Sequence, residues 1–468
     1  MTGGRHVIFA TGAASAALVL FVFLLLAFPV AAPARDEEYD LDFAIPEVEE
    51  EKSLEIWGQM EFRAVSRFLD EDATLYKQRF HSRDQKNPAN ELRLQLKPEI
   101  AWNKGELGAY LRPRLGVSWN QLFSGAKTVM DEPSEELFIG DEEWSGEILA
   151  EEAFLKWTPS PKATLEVGKK VLKWGKGYAW NPVSFISRPK DVNDPDSSRE
   201  GYVMAYGDFI TSLEGPVTTV AFTPVAATVG DTVNQGLADD DTALFGGKLY
   251  VLAYDTDFDL MFMAGGEYDT RVGADFATNL AENFAIHGEA GVRLGYSKTT
   301  VDASGNIATE QMNAVSFLLG ARYLTETDTT FLLEYYHNGE GYSPLEMRRY
   351  HTLIEKGWDA FRATGGKALL RRSSMVGADY NGSGVGRDYL YFRVTQKEPF
   401  DILYLTPTLT TIVNLGDGSL TVNPEVAYMA TPSLELRPRM IIPLGGSKTE
   451  FGEKVNAFTG EMRVTYFF

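Results

Sequence analysis

The sequence predicts an all-β fold, namely a transmembrane antiparallel β-barrel of about eighteen strands, with sixteen as the alternative count. Three observations lead to this fold class. Apolar and polar residues alternate with period two in runs of about ten residues. The connections between these runs alternate between short and long. An N-terminal address segment precedes the first run, which indicates that the chain leaves the cytoplasm.

The N-terminus predicts a signal peptide over residues 1–34. Arg5 supplies a positive charge, a long apolar run follows, and "APA" at residues 32–34 forms a small-x-small cleavage site. An uncleaved membrane anchor is the alternative, because the apolar run is long enough to span a bilayer. The cleavage site favours the signal peptide. Residues 35–53 then form an acidic periplasmic N-terminal segment, and residues 54–468 form the barrel.

The composition narrows the function classes. The 468 residues carry a formal net charge of -22 and include no cysteine. The absence of cysteine removes disulfides, thiolate metal sites and haem attachment through C-x-x-C-H. Every basic stretch is interspersed with acids, which argues against nucleic acid as a partner. The mean hydropathy of -0.19 does not indicate a helical membrane protein.

The alternation is illustrated by residues 284–297, "FAIHGEAGVRLGYS". Leu294 and Tyr296 fall on the apolar face, whereas Arg293 and Ser297 fall on the polar face. A soluble sandwich with a wet outer face gives this pattern, and so does a barrel with lipid outside and a wet lumen. Periodicity alone does not separate the two architectures.

The connection lengths favour the barrel. Short connections occupy residues 103–105, 159–162, 214–216, 255–257, 282–283, 325–328, 397–400 and 431–433. Longer segments lie between them, such as 70–90, 120–146, 175–206 and 338–387. Short periplasmic turns opposite long extracellular loops are typical of barrels in the bacterial outer membrane. The partners expected from this location are outer-membrane lipid and lipopolysaccharide. The weak runs 208–214 and 275–281 are the reason for the alternative strand count.

A basic stripe is predicted on one wall of the lumen. Inward-facing cations occur on strands from both ends of the chain, and closure makes these strands neighbours. The predicted pore-lining basic stripe consists of Arg63, Arg67, Arg93, Lys97, Arg112, Arg114, Arg437, Arg439 and Arg463. Acids interleave it, so some of the arginines must be paired. Two interpretations stay open: the stripe holds the wall together through ion pairs, or it sets a transverse field that selects solutes. The acidic segment 131–147 would then be its counterpart.

A second candidate is the segment 168–201, which begins as a strand and continues as a long loop rich in aromatic and basic residues. Three X-Pro pairs would stiffen it. The candidate constriction residues are Lys173, Trp174, Lys176, Tyr178, Trp180, Asn181, Arg188 and Lys190. Either this loop folds into the barrel as a constriction, or it lies above an interfacial aromatic girdle.

The pattern "GKK…WG…NP" within residues 168–201 and the run "TTFLLEYYHNGEGYS" at 329–343 resemble Gram-negative outer-membrane porin-like barrels, including the alginate-export type. The resemblance implies an outer-membrane barrel and carries no substrate with it. The terminal "TYFF" also looks like the signal by which such barrels reach their assembly machinery, which the resemblance therefore implies as a partner.

The segment from Ser343 predicts the clearest helix of the barrel region. Ser343 is a candidate N-cap, Pro344 occupies the first helical position, and Glu346 completes a capping box. We expect this helix outside the cell or plugging the mouth of the barrel.

The sequence predicts no catalytic residues, cofactor or metal site. His81, His287, His337 and His351 are the histidines beyond the predicted signal peptide, and they show no zinc-like spacing with acidic residues. A hydrolytic site would need a histidine beside a nucleophile at the rim of the barrel. Calcium on the acidic loops stays open and unlocalised.

The sequence therefore predicts an outer-membrane porin-like channel for passive or selective passage of small hydrophilic solutes through a charged lumen. One alternative is an exporter or sheath barrel that docks periplasmic partners through residues 35–53. The other alternative is a barrel enzyme or adhesin. The existence of a homo-oligomer is left open.

Overall fold

The computed structural model describes residues 53–81, 85–121, 144–197, 199–238, 241–266, 269–382 and 384–468. The predicted signal peptide, nearly all of the acidic segment after it, and most of the acidic segment 131–147 lie outside these ranges. Their predicted roles stay predictions.

Eighteen antiparallel strands form one closed sheet, which confirms the predicted fold class. The strands are β1 Leu54–Leu69, β2 Ala89–Lys104, β3 Leu107–Asn120, β4 Trp144–Ser160, β5 Ala163–Lys170, β6 Tyr202–Ser212, β7 Val217–Val229, β8 Thr242–Ala253, β9 Thr256–Gly265, β10 Asp269–Ala281, β11 Phe284–Val301, β12 Ile307–Leu324, β13 Thr329–His337, β14 Asp388–Gln396, β15 Leu405–Asn414, β16 Leu420–Thr431, β17 Leu434–Leu444 and β18 Asn456–Phe467. Each pairs with the next along the chain. The weak runs 208–214 and 275–281 fall in β6 and β10, so the count of eighteen is correct.

The barrel closes between β1 and β18. Arg63 pairs with Arg463 in this register, and the Gly58 amide donates to the Phe468 carbonyl at 2.9 Å. The Phe468 amide donates back to the Gly58 carbonyl at 3.0 Å. This seam satisfies the backbone groups of both end strands, which hydrocarbon would otherwise leave without partners.

The outer surface of the barrel is apolar. Side chains that alternate with the lumen-facing residues remain open to the surroundings: Ile56 and Phe245 are each 62% exposed, and Leu155 is 63% exposed. Phe262 and Leu319 add to this surface. A soluble protein does not expose apolar patches of this extent, whereas a lipid-facing band requires them. The chain is therefore a transmembrane barrel of the bacterial outer membrane.

A helical cap lies among the connections on the long-loop side. It consists of α1 Thr74–Phe80, α2 Pro344–Thr364, α3 Ala368–Met375 and α4 Gly377–Asn381. The predicted capping box at Ser343 and Glu346 is present, and α2 ends at Gly365 with φ 73°. Leu75 of α1, Ile354 of α2 and Leu370 of α3 share one buried cluster. None of the helices among the described residues combines the length and apolarity needed to cross a membrane.

The predicted orientation of Tyr296 and Ser297 is wrong. A bulge between Arg293 and Tyr296 inserts an extra residue into β11, with Gly295 at φ 74°. The bulge reverses the alternation beyond it. Tyr296 consequently shares the inner face with Arg293, whose guanidinium carbon lies 5.0 Å from the centre of the Tyr296 ring. Ser297 is exposed.

Candidate functional site

The connection between β5 and β6, residues 171–201, lies inside the lumen; we refer to it as the crossing loop. Near its start, the Tyr178 and Ala179 amides donate to Glu334 on β13 at 2.5 and 2.9 Å. Near its end, Asp194 accepts from Arg463 on β18 at 2.5 Å. Since β13 and β18 are separated by four strands in the sheet, the loop spans from one wall towards another.

Two buried carboxylates hold the backbone at the start of the crossing loop. Glu289 on β11 accepts from the Gly177 amide at 2.5 Å and from Asn181 Nδ2 at 2.9 Å. Glu334 lies 2.8 Å from His287 Nε2, in addition to its two amide donors. Hydrogen bonds to an ionised acceptor are roughly twice as strong as neutral ones. Neither Glu289 nor Glu334 was predicted from the sequence as a residue that tethers the loop.

Apolar side chains fix the other side of the crossing loop. Trp174 and Phe185 are buried in one cluster with Met261 and Met263 of β9. Trp180 stacks on Tyr336 with ring centres 5.0 Å apart. The aromatic residues thus face the inner wall, which favours the constriction over the interfacial girdle. The constricting role itself stays a prediction.

The polar members of the predicted constriction have separate partners. Lys176 Nζ lies 3.0 Å from Asp259, and Arg188 Nη2 lies 3.6 Å from Glu200. Lys190 Nζ donates to the Gly177 and Tyr178 carbonyls at 2.7 and 2.9 Å. Asn181 tethers the loop as described above, and Tyr178 Oη donates to Asp196 at 2.6 Å. Lys173 is exposed.

The basic stripe is interleaved with carboxylates. Arg463, 7% exposed, contacts Asp194 at 2.5 Å, Glu461 at 3.0 Å and Glu61 at 3.8 Å. The other arginines of the stripe form these pairs: Arg63–Glu61 at 2.8 Å, Arg67–Glu91 at 2.5 Å, Arg93–Glu91 at 2.7 Å, Arg112–Glu151 at 3.0 Å, Arg114–Glu147 at 2.5 Å, Arg437–Glu435 at 3.0 Å and Arg439–Glu461 at 3.0 Å. This arrangement supports the ion-pair interpretation. It leaves the selection of solutes by the stripe as a hypothesis.

A cavity of about 630 Å³ lies beside the stripe and the end of the crossing loop; we call it the stripe cavity. Its described lining includes six cations (Arg63, Arg93, Lys97, Arg114, Arg437 and Arg463) and five anions (Glu61, Glu147, Asp194, Asp196 and Glu435). The charges that line this cavity are nearly balanced. They are unevenly distributed, because the stripe is mainly basic and the loop contributes Asp194 and Asp196.

A second cavity, of about 620 Å³, lies against the other part of the crossing loop; we call it the vestibule. Its described lining includes the cations Arg188, Lys190, Arg199, Arg271 and Arg293 and one carboxylate, Glu340. Burial, together with the nearby charge of Arg199, lowers the pKa of Lys190 to about 8. Of these residues, Arg188 and Lys190 were predicted as site residues from the sequence. Arg199 and Arg271 were not, and the sequence pattern did not place Arg293 beside them.

The histidines occupy separate environments. His287 orients towards Glu334, and His337 Nδ1 lies 2.8 Å from Asp388. His351 is buried in the helical cap, where burial lowers its pKa to about 4. His81 packs its ring edge against Phe361. Among the described residues, no group of three or more acidic or histidine side chains is arranged to hold a metal ion.

Among known proteins, the chain resembles solved structures only. No protein-family model matches the sequence, and no curated protein matches it. OccAB1 of Acinetobacter baumannii is 12% identical, with 88% of this chain and 95% of that chain covered and a TM-score of 0.47. A triple mutant of the Rhodopseudomonas blastica porin is 10% identical, with 89% and 100% covered and a TM-score of 0.40.

A third solved structure is Wzi of Escherichia coli, described as an outer-membrane protein involved in group 1 capsule assembly and as a carbohydrate-binding β-barrel. It is 11% identical, with 87% of this chain and 84% of that chain covered and a TM-score of 0.45. One of these three structures is thus a porin, and another is described as an outer-membrane β-barrel.

Proposed function

We propose that the chain is a channel through which small hydrophilic solutes cross the outer membrane. The stripe cavity is the observation that carries this proposal. Its lining includes Ser118 and Ser145 near the long-loop ends of β3 and β4, Gln59 within β1, and Phe467 at the turn end of β18. A polar passage along the height of a barrel wall is what a diffusion channel requires.

The distribution of charge determines which solutes the stripe cavity suits. The arginines on the wall face Asp194 and Asp196 on the crossing loop, so polar solutes meet opposite charges on the two sides. Because six cations are opposed by five anions, the passage as a whole carries little net charge. We therefore infer that the stripe cavity sorts polar solutes chiefly by size and only weakly by the sign of their charge.

Liposome swelling tests this function. Purified protein in liposomes should admit uncharged sugars, with rates that fall steeply as sugar size increases. Liposomes without protein serve as the control for leakage. A folded, heat-modifiable barrel that admits none of the sugars would contradict the channel.

A further inference from the structure

The vestibule is distinct from the stripe cavity in both position and charge. It is lined by the crossing loop up to Arg199, by β10 and β13 near their long-loop ends, by the middle of β11 and β12, and by residues around Leu237 in the β7–β8 connection. The described residues that line the two cavities do not overlap. A solute that arrives from the long-loop side would therefore meet the vestibule separately from the stripe cavity.

Two residues that line this cavity carry hydrogen-bond donors without acceptors among the described residues. Trp180 lines the vestibule and is 8% exposed, and its indole Nε1 has no hydrogen-bond partner among the described residues. Arg188 Nε is likewise buried without a partner among them. Leaving a buried donor unsatisfied costs about 1–3 kcal/mol, so such groups call for a ligand or ordered water. Both groups only donate, and the ligand that suits them must accept.

The cations of the crossing loop strengthen this preference. Lys190 is held by two backbone carbonyls, and Arg199 Nη1 donates to the Arg188 carbonyl at 2.9 Å. These acceptors are neutral, so they position the cations without cancelling their charge. Arg188 also lies over the Tyr202 ring, 4.8 Å from its centre, with Glu200 as its acidic neighbour. The loop thus presents three fixed positive charges along one cavity wall.

We propose that the vestibule is a binding site for small anions that carry a carboxylate or a phosphate group, recognised by Trp180, Arg188 and Lys190. The proposal deepens the proposed function, on which it rests, by assigning the channel an anionic class of solute that is captured before passage. A cavity of about 620 Å³ is within the usual range for a small-molecule site. Aromatic side chains, including Phe185 and Tyr202, give the site an apolar part that would accommodate a carbon skeleton.

Titration calorimetry on the purified full-length barrel tests the site. The probes are glutarate, inorganic phosphate and uncharged glutaramide. We expect glutarate to bind and glutaramide not to bind, because only the former supplies anionic acceptors. If phosphate binds as tightly as glutarate, the site recognises negative charge alone. If phosphate binds more weakly than glutarate, the site recognises an organic acid. If none of the anions binds, the inference is overturned.

Three variants localise the binding. Trp180→Phe removes the indole N–H and keeps a ring, and Lys190→Met removes one charge. Each should weaken glutarate binding roughly tenfold or more, whereas Lys190→Arg should restore it in large part. Lys356→Gln, an exposed change on α2, serves as the matched charge control and should bind like the parent. Equal affinity in Trp180→Phe, Lys190→Met and the parent would place the anion elsewhere.

Conductance recorded on the same samples separates this inference from the proposed function. A barrel that conducts without binding glutarate would overturn the anion site and leave the channel standing. A barrel that binds glutarate without conducting would overturn the channel and leave the site as a receptor. Heat-modifiable gel mobility confirms for each variant that the barrel has folded.

Discussion

At the scale of single residues, Arg463 joins three parts of the molecule. It lies on the last strand, contacts Glu61 on the first strand, and holds Asp194 of the crossing loop. Its side chain is buried, so its charge and those of its partners are poorly solvated. Breaking a buried pair by removing one partner destabilises a protein by about 3–5 kcal/mol, because the remaining charge stays buried.

Arg463→Gln should therefore lower the stability of the barrel by an amount of that order and release the end of the crossing loop. Urea titration, followed by heat-modifiable gel mobility, measures the first effect. Protease cleavage between residues 190 and 200 measures the second. The control is Arg93→Gln, because Arg93 is 39% exposed and its partner Glu91 keeps Arg67. The control should change the unfolding free energy by about 1 kcal/mol or less. Equal effects of the two substitutions would show that Arg463 does not connect the crossing loop to the first and last strands.

At the scale of elements, carboxylates on β11 and β13 accept hydrogen bonds from the backbone of the crossing loop. Glu334 accepts hydrogen bonds from two successive loop amides and also contacts His287. Neutralising Glu334 would remove the charge from these hydrogen bonds while preserving the size of the side chain.

Glu334→Gln should therefore loosen the crossing loop and increase the frequency of current fluctuations in a planar bilayer. The control is Glu326→Gln, which neutralises an exposed acid in the β12–β13 turn and should leave the current traces unchanged. Indistinguishable traces for Glu334→Gln and the parent would argue against a tethering role for the carboxylate.

The helical cap contains a group that titrates in an accessible range. His351 Nδ1 lies 2.7 Å from Thr74 Oγ1, and its Nε2 is buried without a partner among the described residues. Burial is the main reason that the pKa of His351 falls from 6.5 to about 4. The charge of Lys454 lowers the pKa further, and the charge of Glu355 raises it. The folded cap therefore favours neutral His351. Its contribution to stability is complete above about pH 6.5 and is lost as the pH falls towards 4.

We expect the cap to lose up to about 3 kcal/mol of stability between pH 7 and pH 4 from this group. Hydrogen exchange of residues 344–364 at several pH values measures the loss, after correction for the intrinsic pH dependence of exchange. His351→Asn keeps a polar group near Thr74 but does not titrate in this range. Its protection should consequently depend less on pH than that of the parent. A parent cap that is equally protected at pH 7 and pH 4.5 would contradict the prediction.

At the scale of the whole molecule, the barrel could be predicted from the sequence because apolar lipid-facing residues alternate with polar lumen-facing residues along the strands. That pattern is local, so even the weak runs in β6 and β10 could be counted. The change of inward and outward faces at Gly295 could not be predicted from the sequence, because a bulge adds one residue to a strand without changing its composition. Short helices such as α1 depend on packing against α2, which is distant in sequence.

The site was predictable only in part, and for a related reason. Parity placed the basic stripe residues on inward faces, and closure of β1 on β18 made them neighbours. The two carboxylates that accept from amides near the start of the crossing loop lie more than 100 residues further along the chain, as in the contact between Gly177 and Glu289. The vestibule likewise combines Arg188 with Arg271 and Arg293 from separate strands. Such groupings follow from the path of the loop through the lumen, which no local pattern specifies.

The path of solutes can be tested by narrowing the stripe cavity alone. Gly116 lines this cavity, and a side chain added there would first meet Gln95 and Glu147 at about 3.6 Å. Gly460 lies on the lipid-facing side of β18, where an added Cβ meets nothing within 4 Å. Tryptophan at the two positions therefore adds the same bulk to the lumen and to the outer surface.

Single-channel conductance in a planar bilayer, recorded for the parent, Gly116→Trp and Gly460→Trp, tests whether the channel runs through the stripe cavity. We predict discrete conductance steps in the parent that increase with salt concentration. These steps should be markedly smaller in Gly116→Trp and unchanged in Gly460→Trp. Absence of steps in the parent, or steps of equal size in the parent and Gly116→Trp, would contradict a channel that runs through the stripe cavity.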